Sequence, residues 1–448
     1  IKVNNIQNQC GANIINENSN TITIGASGDT IALASGASQT GFGRTGTVDW
    51  DTTPKTASFD ATSGDGFFCN TTSSAFTATL PSGAAGAIVS FADYAATWNS
   101  NNLTVSPQSG EKIGGLSANV ILDTQGQSVT FVYVDSTQGW INVQDSTSNE
   151  RAQAFITATG GTITTCGDCK IHTFTSPGTF CVSSVSTVSA NNLVSYVVVA
   201  GGGGGGGNRG GGGGAGGYRE VKSPITPFSA SPLDGYPSAP NRVTVTATAF
   251  PITVGAGGSG TSNDSCNAAS GSNSVFSTIT SAGGGLGGSK NAPSQAGGNG
   301  GSGGGGQGAD GTGSSGGLGN QPPVSPAQGK HGGTGDGSSN GSGAGGGGAT
   351  AEGANGSFPN GGPGGAGATS SINGTPTARA GGGGGAGWTA VGGCGGAGGG
   401  GNGVRTTPNV TSNPGTANTG GGGGGGPTSP GGTGNGGSGI VIIRYKFQ

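Results

Sequence analysis

Long runs of glycine constrain this chain more than any other feature. Of its 107 glycines, 20 precede residue 201 and 87 fall within the last 248 residues. Glycine at that density is otherwise typical of collagen, which needs it at every third position. Runs such as 201–207 have no such register. A collagen triple helix is therefore excluded.

Disorder is the next alternative, because glycine- and serine-rich tracts commonly act as flexible linkers. Disordered chains usually have a high net charge, whereas this chain has a formal net charge of −3 and 8% charged residues. Phe276, Phe358 and Trp388 also interrupt the tracts, and a linker has no use for such residues. An ordered glycine structure is the favoured interpretation.

Charge and hydropathy also limit the partners. A near-neutral chain lacks the basic patch that nucleic acid requires. No run approaches the roughly 18 apolar residues of a membrane span. We therefore expect neither nucleic-acid binding nor membrane insertion.

The first region, residues 1–56, contains a repeated strand pattern at 21–27 and 30–36, with Gly28-Asp29 as a turn signal. Such a short strand pair is marginal by itself. Its apolar face is therefore predicted to pack against other copies of the chain, which makes an oligomeric β-shaft. The oligomerisation residues predicted on this basis are Ile22, Ile24, Ile31 and Leu33.

The second region, residues 57–148, has short apolar runs separated by Gly, Pro, Asn and Asp, which predicts a small β-sandwich. The third region, 149–448, has strand-like runs around its glycine tracts. Two of these runs, 193–199 and 440–445, are continuously apolar or nearly so, as expected of strands buried on both faces. The predicted fold class is all-β, with the glycine tracts inserted between strands of a C-terminal β domain.

Ordered glycine tracts need backbone hydrogen bonds to replace the side-chain contacts they lack. An extended threefold helix has no internal hydrogen bonds, so its amides are free to bond to neighbouring helices. We therefore predict a stack of polyglycine helices on a β base. Its turns are candidates for receptor binding, since loops on rigid scaffolds commonly carry binding residues. The alternative for the aromatic members is that they fill gaps inside the stack. The candidate residues are Tyr236, Pro322, Pro323, Phe358, Trp388, Arg405 and Asn409.

The sequence gives no pattern for catalysis. Its two histidines, His172 and His331, leave little scope for a Ser-His-Asp triad, and no cofactor or metal is predicted. Cys166, Cys169, His172 and Cys181 lie close together in sequence. Three alternatives stay open for this cluster: a disulfide between Cys166 and Cys181 across a hairpin, a zinc site, or free thiols.

Several segments resemble tail-fibre-like virion proteins of marine bacteriophages, including those that infect cyanobacteria. The segments that carry the resemblance are 1–8, 21–31, 64–140, 170–180, 198–203, 274–280 and 439–445. Together they extend over most of the chain, in an order that matches those proteins.

The resemblance implies an extracellular virion fibre, a homotrimer, whose N-terminus attaches to other tail proteins. Its C-terminal tip would bind a host cell-surface protein or glycan, and it implies no catalytic residues. The alternative is a structural subunit of an extracellular filament, or a virion decoration protein, without receptor binding.

Overall fold

The computed structural model describes residues 5–7, 13–18, 21–24, 48–146, 154–261, 266–290, 295–308, 313–405, 410–427 and 432–448. The described residues form strands and extended segments with two short 3₁₀ turns, which confirms the predicted all-β class. The chain divides into two compact units, Ile1–Arg151 and Ala152–Gln448.

The first strands form a small antiparallel sheet in the order β1 (Asn5–Gln7), β2 (Asn13–Asn18) and β3 (Thr21–Ile24). Ile22 and Ile24 lie on β3. Ile31 and Leu33 lie outside the described residues. The predicted role of these four residues in oligomerisation stays a prediction.

A two-sheet domain follows over residues 48–146. Its strands are β4 (Asp49–Lys55), β5 (Phe59–Asp60), β6 (Asp65–Cys69), β7 (Phe76–Thr79), β8 (Ile88–Asp93), β9 (Leu103–Ser106), β10 (Val120–Leu122), β11 (Ser128–Asp135) and β12 (Gly139–Ser146). One sheet has the order β10-β9-β7-β5 and the other β12-β11-β8-β6-β4. From β4 to β9 the chain alternates between the sheets, so neighbours such as β6 and β8 run parallel. Strand β4 precedes the boundary expected at residue 56 but pairs with β6, so it belongs to this domain.

Side chains from both sheets fill the core of this domain. Phe76 and Leu103 come from one sheet, Phe91 and Phe131 come from the other, and Trp140 is fully buried among them. Because alternate residues of a strand point to opposite faces, the short alternating runs of this region bury one face of each sheet.

The β base of the second unit consists of β13 (Thr157–Thr159), β14 (Thr162–Cys166), β15 (Cys169–Phe174), β16 (Gly178–Ser184), β17 (Leu193–Val199), β18 (Tyr218–Val221), β19 (Val243–Thr244), β20 (Ala249–Thr253), β21 (Ser274–Phe276), β22 (Ile279–Ser281), β23 (Ala368–Ser370), β24 (Thr377–Arg379) and β25 (Ile440–Lys446). Two sheets, β13-β16-β20-β21-β22 and β14-β15-β25-β17-β18, share a core around Phe180 and Tyr196. Strands β17 and β25 are neighbours and are buried on both faces, as their apolar runs predict.

Extended segments carry the glycine of this unit, and we number them in chain order. They are g1 (201–207), g2 (210–217), g3 (255–261), g4 (268–273), g5 (282–289), g6 (295–298), g7 (302–308), g8 (313–319), g9 (329–335), g10 (341–349), g11 (353–356), g12 (361–367), g13 (381–387), g14 (392–396), g15 (400–404), g16 (412–416), g17 (420–427) and g18 (432–439). Several continue a base strand directly: β17 leads into g1, g2 into β18, and g18 into β25.

The hydrogen bonds of g1 repeat every three residues. Gly201 and Gly204 donate to g4, Gly202 and Gly205 donate to g18, and Gly203 and Gly206 donate to g2. A repeat of three is the signature of a threefold extended helix. The predicted stack of polyglycine helices is therefore confirmed.

The segments pack in a hexagonal array. Segment g1 donates to g2, g4 and g18 and accepts from g3, g5 and g17, so it has six hydrogen-bonded neighbours. Segment g2 also has six, namely g1, g5, g7, g10, g13 and g17. We call this array the glycine block.

Close approach of neighbouring backbones explains why side chains are rare in the block. A Cβ atom on Gly203 would lie 2.1 Å from the carbonyl oxygen of Gly285, and one on Gly205 would lie 2.0 Å from that of Gly424. Such carbonyls belong to hydrogen-bonded neighbours and cannot move independently. Any larger residue would therefore have to push two segments apart.

The proposed disulfide between Cys166 and Cys181 is not formed, because both are free thiols in different sheets. Cys166 lies on β14, opposite Cys169 on β15. Cys181 lies on β16, between Thr159 of β13 and Ala249 of β20. A disulfide across a hairpin requires both cysteines to flank the same hairpin, and these two do not.

Candidate functional site

The segments of the glycine block alternate in direction, so their turns fall at two opposite ends. Segment g1 leads away from β17 and g2 returns to β18; the same alternation continues to g18, which returns to β25. The turns next to the strands form the base end. The others form what we call the far end, and their described residues are 207–210, 261, 266–268, 289–290, 295, 308, 313, 335–341, 356–361, 387–392, 404–405, 410–412, 427 and 432.

This alternation separates the receptor-binding candidates into two groups. Phe358, Trp388 and Arg405 lie in far-end turns, and Asn409 lies outside the described residues. Tyr236, Pro322 and Pro323 lie at the base end. The seven candidates therefore do not form one surface.

The base-end candidates are tied to the β base. Tyr236 packs against the core of the base, and the guanidinium of Arg242 lies 4.5 Å from the centre of its ring. The side-chain amide of Gln328 donates to the Pro322 carbonyl at 2.9 Å, and Pro323 is exposed in the same turn. These contacts indicate a structural role for Tyr236 and for this turn.

Trp388 is held at the far end by a buried arginine. The guanidinium of Arg209 lies 4.6 Å from the centre of the Trp388 indole, and its Nη1 donates to the Ser339 carbonyl at 3.1 Å. Arg209 is only 6% exposed. The backbone N–H of Trp388 also donates to the Pro359 carbonyl at 3.0 Å. These bonds join four far-end turns through half-buried Trp388.

Phe358 is the exposed aromatic residue of this end, with half of its surface accessible. The Asp336 carboxylate accepts hydrogen bonds from the N–H groups of Phe358 and Ser338. Burial acts to raise the pKa of Asp336, but these donors outweigh it and hold the pKa below its ordinary value. The carboxylate therefore stays charged and fixes the turn that presents Phe358.

A cavity of about 720 Å³ opens beside these turns, where g14, g15 and g16 meet the far end. Val391, Val404 and Val410 supply apolar walls, and Arg405 and Asn413 supply polar groups. Val391 is 72% exposed. The volume lies within the roughly 300–1,000 Å³ typical of ligand sites. The far end thus combines a cavity with an exposed aromatic ring.

The cysteine and histidine cluster does not assemble into a zinc site. His172 is fully buried, with Nδ1 2.7 Å from the Gly160 carbonyl and Nε2 3.0 Å from the Tyr445 hydroxyl. Burial lowers the pKa of His172 below its ordinary value, which favours the neutral ring. Within the part of the chain that the structure describes, no three His, Cys, Asp or Glu side chains are grouped to hold a metal.

Arg209 and Asp336 were missed by sequence reasoning. Asn208 and Arg209 are the two residues that separate the glycine runs of g1 and g2, and both have positive φ angles, of 51° and 60°. An arginine that interrupts two glycine runs was therefore an available signal. Asp336 gives no comparable signal, because its partner Phe358 is 22 residues away.

Comparison with known proteins gives one family. A family model described as a glycine-rich domain matches residues 175–446, which is more than half of the chain. No curated protein sequence matches the chain. Among the described residues, no helix is long and apolar enough to cross a membrane. The match includes the glycine block and most of its base, and the chain therefore belongs to the glycine-rich domain family.

Proposed function

We propose that this protein is a noncatalytic bacteriophage tail fibre that binds the host surface through the far end of its glycine block. The resemblance of its segments to tail-fibre-like proteins of marine bacteriophages supports this proposal. The observation that carries it is the clustering of Phe358, Trp388 and the 720 Å³ cavity at one end of a rigid block.

Rigidity is what makes this end suited to binding. Each far-end turn connects two segments that are hydrogen-bonded to several neighbours. Binding groups on such a scaffold lose little conformational entropy when a ligand binds, and preorganisation of this kind increases affinity. Variable turns on an invariable block could also change specificity without changing the fold.

The chemistry of the far end fits an uncharged or weakly charged surface. Its described turns present an aromatic ring, valines and amide groups, with Arg405 as the exposed charge at the cavity. Rings and small polar groups are also the usual contacts of binding loops on other rigid scaffolds. A host surface protein or a glycan is the proposed receptor.

The remaining parts of the proposal concern assembly. The N-terminal segment would form a homotrimer through Ile22, Ile24, Ile31 and Leu33 and attach to other tail proteins. The protein would then be extracellular, on the virion, with no nucleic-acid partner, no membrane insertion and no cofactor.

Cell binding by far-end variants tests the proposal. The fluorescently labelled full chain is titrated onto a panel of marine bacterial and cyanobacterial strains and measured by flow cytometry. Because truncating a central contact residue commonly costs at least 2 kcal/mol, Trp388→Ala is expected to weaken binding by about 30-fold. Val391→Glu, at a 72% exposed position, should weaken binding without affecting folding.

Pro323→Ala at the base end is the matched control and should bind like the wild type. Equal loss of binding in Pro323→Ala and Val391→Glu would contradict a far-end site. Absence of saturable binding on every strain, with the protein present in purified virions, would instead favour a decoration protein.

A further inference from the structure

A small pocket lies on the two-sheet domain of residues 48–146, on the sheet of β4, β6, β8, β11 and β12. Its volume is about 210 Å³. Trp50, Ser90, Thr130 and Gln144 line it from one face of this sheet. None of these residues belongs to the glycine block, so the pocket is independent of the proposed far-end site.

Trp50 provides a fixed aromatic surface at this pocket. It lies on β4 and is 43% exposed, and its ring packs against Phe68 with the ring centres 4.8 Å apart. A Cβ atom on Gly66 would lie 2.8 Å from the indole ring. The ring therefore rests directly on the Gly66 backbone, held in place before any ligand arrives.

Hydroxyl and amide groups lie beside the ring. Ser90 Oγ and Thr130 Oγ1 are 2.7 Å apart, and Ser90 is only 3% exposed. Each hydroxyl can make more than this one hydrogen bond. Gln144 lies opposite Thr130 on β12 and is exposed, so its side-chain amide can donate and accept hydrogen bonds on the same face. The floor of the pocket is thus polar and its side is aromatic.

Charge narrows the ligand class. The residues that line the pocket include no Lys, Arg or His, so an anion would find no cation to pair with. An ammonium ion could use the ring, but it would leave the buried hydroxyls unused. A ring of C–H groups bearing several hydroxyls matches both the electron-rich face of the indole and the polar floor.

We propose that the Trp50 pocket binds one neutral sugar unit, stacked on the indole and hydrogen-bonded to Ser90, Thr130 and Gln144. The pocket is smaller than the roughly 300 Å³ lower limit of typical drug-sized sites, which suits a single ring. The sugar would be a terminal or side residue of a larger glycan, because one side of the pocket is open.

Saturation-transfer NMR on the full chain tests this site. The probes are the methyl glycosides of glucose, galactose, mannose and N-acetylglucosamine, with choline as the cationic alternative. At least one glycoside should bind with roughly millimolar affinity, as expected of so small a ligand. Trp50→Ala should weaken it by about tenfold, and Thr130→Val, which removes one hydroxyl at constant shape, by about fivefold.

Trp50→Phe keeps an aromatic ring and should retain part of the binding, which separates loss of stacking from misfolding. Trp388→Ala, in the glycine block, should bind the glycosides like the wild type. The proposal is overturned if no glycoside binds even at high millimolar concentration. It is also overturned if Trp50→Ala binds as well as the wild type, or if choline binds more tightly than every glycoside.

Discussion

The β base and the glycine block are continuous in the chain, yet they are stabilised by different groups. In the base, side chains such as Phe180, Tyr196 and Tyr445 are fully buried against each other. In the block, g1 and g2 are equally buried, but the groups in contact are backbone amides and carbonyls. At Ala200, directly after β17, the chain passes from the first kind of core to the second.

This difference reverses the usual rule for mutations. A side-chain core loses stability mainly when a residue is made smaller and leaves a cavity. The glycine positions of the block have no side chain that could be truncated, so the block should lose stability when a residue is made larger. The base should therefore tolerate conservative exchange among apolar residues, whereas the interior of the block should accept glycine alone at most positions.

The largest effect is expected for Gly213→Ala in the middle of the block. The new Cβ atom would lie 2.1 Å from the Gly203 carbonyl oxygen, and both segments have six hydrogen-bonded neighbours that resist displacement. Overpacking of a core costs 1–3 kcal/mol and sometimes more, so a loss of at least about 3 kcal/mol is expected. Urea unfolding measures the cost, and hydrogen exchange should show lost protection in the neighbouring segments.

Gly432→Ala is the matched control. Among the described residues, the nearest neighbour to a new Cβ atom there is the Thr411 methyl group at 3.7 Å, an ordinary contact distance. The expected change is within about 0.5 kcal/mol. Similar losses in the two variants would mean that close approach of backbones is not what excludes side chains from the block.

A smaller effect is expected from pH, and it should arise in the base. His172 is buried there with a pKa below its unfolded value of about 6.5. The unfolded chain therefore takes up its proton first as the pH falls. The contribution of the neutral His172 ring to the free energy of unfolding is fully present above pH 6.5. It is lost as the pH falls towards the folded pKa, by at most about 1.4 kcal/mol per pH unit.

Urea unfolding at several pH values between about 7.5 and about 5 measures this slope. His172→Gln, which cannot take up a proton in this range, should remove the slope. A slope that persists in His172→Gln would place the responsible proton elsewhere.

Sequence reasoning succeeded where side chains or their absence determine the structure. The apolar run of β17 predicted a strand buried on both faces, and the uncharged glycine tracts with interrupting aromatic residues predicted ordered polyglycine helices. Both follow from local composition.

The neighbours of each segment could not be predicted. One glycine run is chemically the same as another, so nothing in g1 specifies g4 rather than g9 as its partner. The lengths of the turns and the strands that the segments join determine which segments are neighbours. The same limit applies to the candidate site. Pro322 and Trp388 both interrupt glycine tracts, and only the direction of the segments before them places one at the base end and the other at the far end.

The smallest effect should come from the rare side chains inside the block. Ser302 on g7 is fully buried, its backbone bonds to Ala215 and Gly285, and its hydroxyl has no partner in the described part of the chain. Ser302→Ala keeps the Cβ atom and removes a buried unsatisfied group, so it should stabilise the protein by up to about 1 kcal/mol. The contrasting variant is Ser281→Ala on β22 of the base, because the Ser281 hydroxyl donates to the Val198 carbonyl at 2.7 Å. It should destabilise the protein by about 1 kcal/mol. Equal losses in the two variants by urea unfolding would show that side-chain hydrogen bonds contribute to the block as they do to the base.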